Sequence, residues 1–234
     1  MWKKRPGLII RSIPKKKNMN KPTFVYIYDP LCGWCFGFIP VLERLRKRFE
    51  GRLEFEIVCG GLAVGDNAQP IGEGYAYIRD ALKQTEEVTG VRFGENFKLL
   101  AEEGSYLYDS MPPCKAQIAV RELAPAEAID FGTAMQKALF LDGKDLNLPD
   151  TYKEILEDFE PDYDSFSARY ESKELIQKTR EEFEWSRKAG ATGFPTILLR
   201  LDREYGIVTK GYRPYDALES HLHHLLNNIE KIRN

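Results

Sequence analysis

The chain has 234 residues, 43% of them hydrophobic and 12% aromatic, enough to bury a core without cross-links, and its four cysteines are too few for a disulfide-dense scaffold. The formal net charge of -2 conceals an asymmetry: eight basic side chains (Lys3, Lys4, Arg5, Arg11, Lys15, Lys16, Lys17 and Lys21) crowd into residues 1–21 with no acid among them, leaving the rest about ten charges negative. An acidic body excludes the clustered Lys and Arg that nucleic-acid phosphates require.

The basic arm, residues 1–21, reads as a solvated, disordered segment, and Met19 near its end is a second candidate start. Only Leu8, Ile9 and Ile10 stand together there, short of the roughly 7–15 apolar residues of a secretory signal. No run approaches the roughly 20 apolar residues of a membrane span. The expectation is a cytoplasmic protein with no membrane or nucleic-acid partner.

Residues 23–29, TFVYIYD, are β-branched and aromatic with little polar alternation, the pattern of a central strand buried on both faces. After Cys32 and Cys35, the residues Phe36, Phe38, Ile39, Leu42, Leu45 and Phe49 recur at helical spacing opposite charged residues, which predicts a helix from about Cys32 to Glu50 with Pro40 inside it. Residues 53–62, LEFEIVCGGL, alternate and then turn apolar, giving a second strand and a βαβ unit. From Gly65 to about Ser172 strand patterns give way to helical windows near 71–89, 113–123, 126–141 and 150–159. Lys173 to Lys188 forms another helix, Thr196 to Leu201 and Tyr205 to Lys210 a hairpin turning at Asp202 and Arg203, and Leu218, Leu222, Leu225, Ile229 and Ile232 one stripe of a closing helix. The expected fold is α/β: βαβ, then α-ββ-α, over residues 22–65 and 173–234, with a large all-helical insertion over residues 66–172.

A cysteine at a strand-to-helix junction meets the first backbone N–H groups of the helix and the positive end of its dipole, which favours a thiolate. That makes Cys32 an attacking nucleophile and Cys35, one turn inward, the thiol that resolves a mixed disulfide. Gly33 and Trp34 keep the turn tight, and Trp34 offers a flat apolar surface to a bound peptide. Structural zinc is the competing reading of CxxC. It lacks a second CxxC, and His221, His223 and His224 fall on the rim of the terminal helix. Pro195 sits at the mouth of a strand, where proline is tolerated.

CGWC at residues 32–35, Pro40 five residues past the second cysteine, GFPT at residues 193–196 before a hairpin, and a terminal helix together resemble the thioredoxin fold. The long insertion between the second strand and GFPT makes the chain similar to the DsbA-like family, and within it to a branch of disulfide isomerases related to FrnE. The resemblance covers about Thr23 to Ile232 and includes residues 108–119, YDSMPPCKAQIA, which resemble a segment facing the active site. It implies that Cys32 attacks, Cys35 resolves, Pro195 is the cis-proline beside them, and the backbone of Phe194 pairs with an extended substrate. The implied activity is thiol-disulfide exchange or disulfide isomerisation on polypeptide or small-thiol disulfides, with no cofactor or metal beyond the Cys32 and Cys35 pair and with an unidentified recycling partner. The Gly-Trp dipeptide departs from the Pro-His of the secreted oxidant and the Gly-Pro of thioredoxin.

Kappa-type glutathione transferases and chromene-carboxylate isomerases, which place a serine near the first-cysteine position, supply an alternative of the same topology. Cys59 and Cys114 read as small buried hydrophobes, with a second disulfide between them as the sharper option. Asp29 reads as a loop cap, with proton transfer during resolution as its alternative. Phe97, Tyr106 and Tyr108 read as core.

Overall fold

The computed structural model describes residues 21–233. The basic arm, apart from Lys21, and the candidate start at Met19 lie outside them. A four-stranded sheet of order β2-β1-β5-β6 carries the fold: β1 (Thr23–Tyr28), β2 (Glu54–Cys59), β5 (Thr196–Leu201) and β6 (Glu204–Lys210). β1 runs parallel to β2 and antiparallel to β5, and β5 antiparallel to β6. Central placement explains the composition of β1. Phe24, Tyr26 and Tyr28 face α1 (Gly33–Arg48) and α9 (Tyr215–Arg233), whereas Val25 and Ile27 face Ala189 and Ala191, which follow α8 (Lys173–Lys188).

Helix α1 serves two cores at once. Phe38, Val41, Leu42 and Leu45 pack on the sheet; Phe36 and Ile39 enter a second core built by the helices between β2 and β5. Each fully buried side chain of this size contributes about 1.5–3 kcal/mol relative to exposure, so α1 is the seam that fixes one body against the other. The close approach of α2 (Tyr75–Thr89) to this seam needs a residue without a side chain: a Cβ on Gly37 would lie 2.8 Å from Thr89 Cγ2.

Between β2 and β5 lie α2, α3 (Glu95–Glu103), α4 (Met111–Leu123), α5 (Ala128–Phe140), α6 (Pro149–Leu156) and α7 (Tyr163–Tyr170). Two features depart from the reading of the sequence. The segment is not all helical, since β3 (Gln69–Pro70) and β4 (Leu107–Tyr108) form a two-residue antiparallel ladder, too short to leave a period-2 pattern. The helices α3 and α7 were not separated as elements of their own. α3 is nine residues bracketed by Gly94 and a left-handed Gly104, which read as loop punctuation.

The free edge of β2 is closed by side chains. Arg121 on α4 donates to Ile57 O at 2.7 Å and pairs with Glu182 on α8, and Glu182 Oε1 accepts from Cys59 N at 2.6 Å. Backbone groups that an edge strand leaves open are thus satisfied without another strand. The end of β2, and Cys59 with it, is thereby held against α4.

Candidate active site

β1 ends at Tyr28, and the next four residues turn the chain into α1. Cys32 is the N-cap of that helix, with extended backbone angles (φ -85°, ψ 111°) and no side-chain cap. The turn closes through Cys32 N donating to Asp29 O at 3.0 Å, and the helix starts with Cys35 N and Phe36 N donating to Cys32 O. The helix N-terminus therefore lies at the Cys32 residue, as its position in the sequence predicts.

Opposite it, the loop before β5 brings in Phe194 and Pro195. Their peptide bond is cis, and Cys32 Sγ stands 3.6 Å from Phe194 O, within sulfur hydrogen-bonding distance. Glycine makes this possible. The Phe194 ring lies on Gly60 so closely that a Cβ there would fall 2.0 Å from Phe194 Cε1, and with the ring parked against β2's exit the backbone carbonyl is presented to the thiol. Trp34 is half-buried and packs on Tyr212 with ring centroids 6.0 Å apart. Gly33 is held by the helical segment, where a Cβ would stand 3.3 Å from both Leu82 and Phe93.

Cys35 lies wholly inside. Burial pushes its thiol well above the usual range, and the neighbouring Cys32 sulfur pushes it further; the backbone of Asp29 and the Tyr26 hydroxyl work in the opposite direction. Cys32 retains a small exposure of 6% against 0% for Cys35, which separates an accessible sulfur from an inner one.

Asp29 organises the floor. Its carboxyl is fully buried and accepts from Leu31 N at 3.0 Å, Leu62 N at 2.7 Å and Ser110 Oγ at 3.0 Å. Burial raises its pKa to about 6, against the lowering by those donors. The loop-cap reading holds in this geometry, and the cap reaches further than its own loop, because Ser110 also accepts from Ala63 N at 3.0 Å. One carboxyl thus ties the cysteine turn, the exit of β2 and the start of α4.

The hydrogen bonds of three positioning groups escaped the sequence reading. Gln136 on α5 donates to Asp29 O at 3.3 Å and Cys32 O at 3.4 Å, Ser110 bridges as described, and Tyr108 donates to Leu31 O. Tyr108 and Ser110 fall within residues 108–119, the stretch whose resemblance implies a segment facing the active site, and their bonds to Leu31 O and Asp29 put them there; Gln136 left a signal as a polar residue in α5. Phe97 and Tyr106 are core, as read, whereas Tyr108 is half-buried against the cysteine turn. The histidines lie apart from the cysteines. His223 is 2.7 Å from Arg48 Nη2, His221 is 3.4 Å from Arg213 Nη1, and His224 is 3.0 Å from Asn228. Among the described residues no cluster of three or more His, Cys, Asp or Glu groups is arranged to hold a metal ion.

Cys32 thus stands at a helix start with the carbonyl of a cis X–Pro bond 3.6 Å from its sulfur and the buried Cys35 behind it. A dithiol held this way at the end of a central strand defines a thioredoxin-fold disulfide oxidoreductase. The comparisons carry this one step further. The chain belongs to the family of DSBA-like thioredoxin domains, whose model matches residues 24–223. It is similar to the crystal structure of a candidate protein disulfide isomerase from Nitrosomonas europaea, with 28% identity, a TM-score of 0.81, and coverage of 89% of this chain and 99% of that one. It shares the fold of the cytosolic disulfide reductase DsbM from Pseudomonas aeruginosa, at 24% identity and a TM-score of 0.73 over 88% of this chain and 99% of that one. Among curated proteins it is similar to the ClpXP adapter protein SpxH of Halalkalibacterium halodurans, 24% identical over 210 residues, covering 86% of this chain and 67% of that protein. The narrower likeness to FrnE rests on the sequence motifs alone.

Proposed function

We propose that this protein exchanges disulfides with polypeptide or small-thiol substrates in the cytoplasm, with Cys32 as nucleophile and Cys35 as resolving thiol. The observation that carries the reading is the setting of Cys32: N-cap of α1, 3.6 Å from Phe194 O, with a wholly buried Cys35 one turn behind. The cytosolic DsbM, whose fold this chain shares, lends support to the compartment. Among the described residues no helix is long and apolar enough to cross a membrane.

Reduction of a substrate proceeds in two exchanges. The Cys32 thiolate attacks one sulfur of the substrate disulfide; a Cys32–substrate bond forms, the substrate S–S bond breaks, and the other sulfur leaves as a thiolate that takes a proton. Cys35 then loses its proton and attacks Cys32 Sγ, forming the Cys32–Cys35 disulfide and releasing the second substrate thiol. Two electrons pass from the dithiol to the substrate, and oxidation is the same path reversed. The order of events follows from the site. Cys35 is kept neutral by burial and by the free Cys32 sulfur, so it waits. Once Cys32 is tied to substrate its charge is gone, one cause of the raised Cys35 pKa goes with it, and the Asp29 backbone and Tyr26 hydroxyl remain to favour the thiolate.

Trp34 with Tyr212, and the Phe194 to Pro195 backbone, flank the attacking sulfur and form the substrate groove. An extended segment laid along Phe194 pairs with the backbone of the loop ahead of β5, which itself has β1 and β6 on either side, and gains affinity through main-chain hydrogen bonds with little regard to sequence. A kappa-type transferase, the competing reading, gives Cys35 no task.

The test is a trap. Cys35→Ser incubated with a disulfide-bonded protein or oxidised glutathione is expected to accumulate a covalent adduct on Cys32 that reductant releases. An equal yield of adduct in Cys32→Ser, or multiple turnover retained in either variant, would overturn the assignment.

A further inference from the structure

The other two cysteines meet inside the protein. Cys59 is the last residue of β2 and Cys114 lies in the first turn of α4, 55 positions later. Both are wholly buried. The Cys59 thiol reaches the Cys114 residue itself, its Sγ 3.8 Å from Cys114 O, and Cys114 Sγ stands 3.9 Å from Asp29 Oδ2. The two backbones are fixed on either side: Cys59 N by Glu182 at 2.6 Å, Cys114 N by Ser110 O at 3.0 Å, and Ser110 N by Ala63 O at 2.7 Å.

We propose that Cys59 and Cys114 are a second redox site, a buried dithiol that closes into a disulfide between the sheet and α4 when a peroxide reaches it. The stoichiometry is two thiols and one peroxide to one disulfide and two waters. The Cys59 sulfur attacks a peroxide oxygen as its proton passes to the departing oxygen; the O–O bond breaks, leaving a sulfenic acid and one water. Cys114 attacks that sulfur, the S–O bond breaks, and hydroxide leaves as water with the Cys114 proton; the Asp29 carboxylate beside Cys114 is the nearest base on that side.

Three properties of the pocket select this outcome. Burial pushes both thiols above their usual range, so the site tolerates uncharged sulfur; dithiol and disulfide are both neutral, whereas a sulfinic acid ionises. Burial also excludes a bulky disulfide such as oxidised glutathione, while hydrogen peroxide is close to water in size. Finally, the approach of Cys59 Sγ to the Cys114 backbone at 3.8 Å places a resolving partner in the same pocket as whichever sulfur is oxidised first. The groups facing the pair are Tyr28 on β1, Asp29 after it, Arg121 on α4 and Glu182 on α8.

The state of this pair reaches the cysteine turn through one residue. Asp29 takes the Cys114 thiol on its carboxyl and Cys32 N on its carbonyl at 3.0 Å. Disulfide formation withdraws one donor from a buried carboxylate. The inference stands independently of whether Cys32 and Cys35 exchange disulfides with a substrate.

The experiment uses the full chain carrying Cys32→Ser and Cys35→Ser, in which Cys59 and Cys114 are the remaining cysteines. It is treated with hydrogen peroxide, denatured in a maleimide, and digested without reductant. The expected result is a peptide pair linked through Cys59 and Cys114, with loss of both maleimide adducts and their return after reduction. Retention of both adducts under peroxide that fully oxidises Cys32 and Cys35 in the unmutated chain overturns the proposal, as does sulfinic acid on one cysteine with the other alkylated. If the double variant does not fold, the unmutated chain decides: two linked pairs support the proposal, and a Cys32–Cys35 link alone overturns it.

Discussion

The two thiol pairs of this protein share their element and almost nothing else. Cys32 and Cys35 are three residues apart on one helix; Cys59 and Cys114 are brought together from a strand and a distant helix. Cys32 faces the carbonyl of Phe194 at the start of α1, where backbone N–H groups converge and a sliver of surface stays open. Cys114 faces the Asp29 carboxylate with no exposure at all. At the second position burial above all, with the Asp29 carboxylate behind it, holds the thiol above its usual range. Placement relative to backbone dipoles and carboxylates, more than the presence of two sulfurs, separates the accessible pair from the enclosed one.

The strongest way to break this contrast is Cys32→Ser, which is expected to reduce exchange to the uncatalysed rate in an insulin-reduction or glutathione-coupled assay; retained turnover would mean that another cysteine attacks. Cys35→Ser sharpens it: one adduct per chain is expected by intact mass, with the first exchange preserved and multiple turnover lost.

Asp29 lies between the pairs and gives the next effect. Burial raises its pKa to about 6 from the 3.8 of an ordinary aspartate, so between these values the native state binds more protons than the unfolded chain. The stability attached to the protonated form is complete below about pH 4 and lost as pH rises through 6, a fall on the order of 3 kcal/mol. Urea midpoints from pH 4 to 7 are expected to show this slope in the parent and to lose it in Asp29→Asn. The smallest effect tests the wall opposite Cys32. Gly60→Ala places a methyl into the Phe194 ring and is expected to cost about 1–3 kcal/mol by overpacking, and to slow exchange because Phe194 O shifts with the ring. Normal exchange with reduced stability would detach the carbonyl from the chemistry.

Much of this arrangement was legible in the sequence, for reasons that differ along the chain. The doubly apolar β1, the helix after CGWC, the hairpin at Asp202 and Arg203 and the terminal stripe each carry a local periodicity imposed by a single packing surface. CGWC and GFPT mark the two sides of the cleft because helix starts and strand mouths have characteristic residues. The β3 and β4 ladder was not legible, since two-residue strands have no period. Nor was the role of Ser110, Tyr108 and Gln136, because their function is a tertiary hydrogen bond to a turn up to 107 residues away. Asp29 reads in the sequence as a local cap or a proton acceptor; its ties to Leu62 and Ser110 depend on contacts that no spacing encodes.

The most direct measurement is the redox equilibrium of Cys32 and Cys35 in glutathione buffers, read by alkylation and mass. The account expects a single two-electron transition between about -270 and -120 mV, absent in Cys35→Ser. If no Cys32–Cys35 disulfide forms at any ratio of reduced to oxidised glutathione, the central claim is wrong.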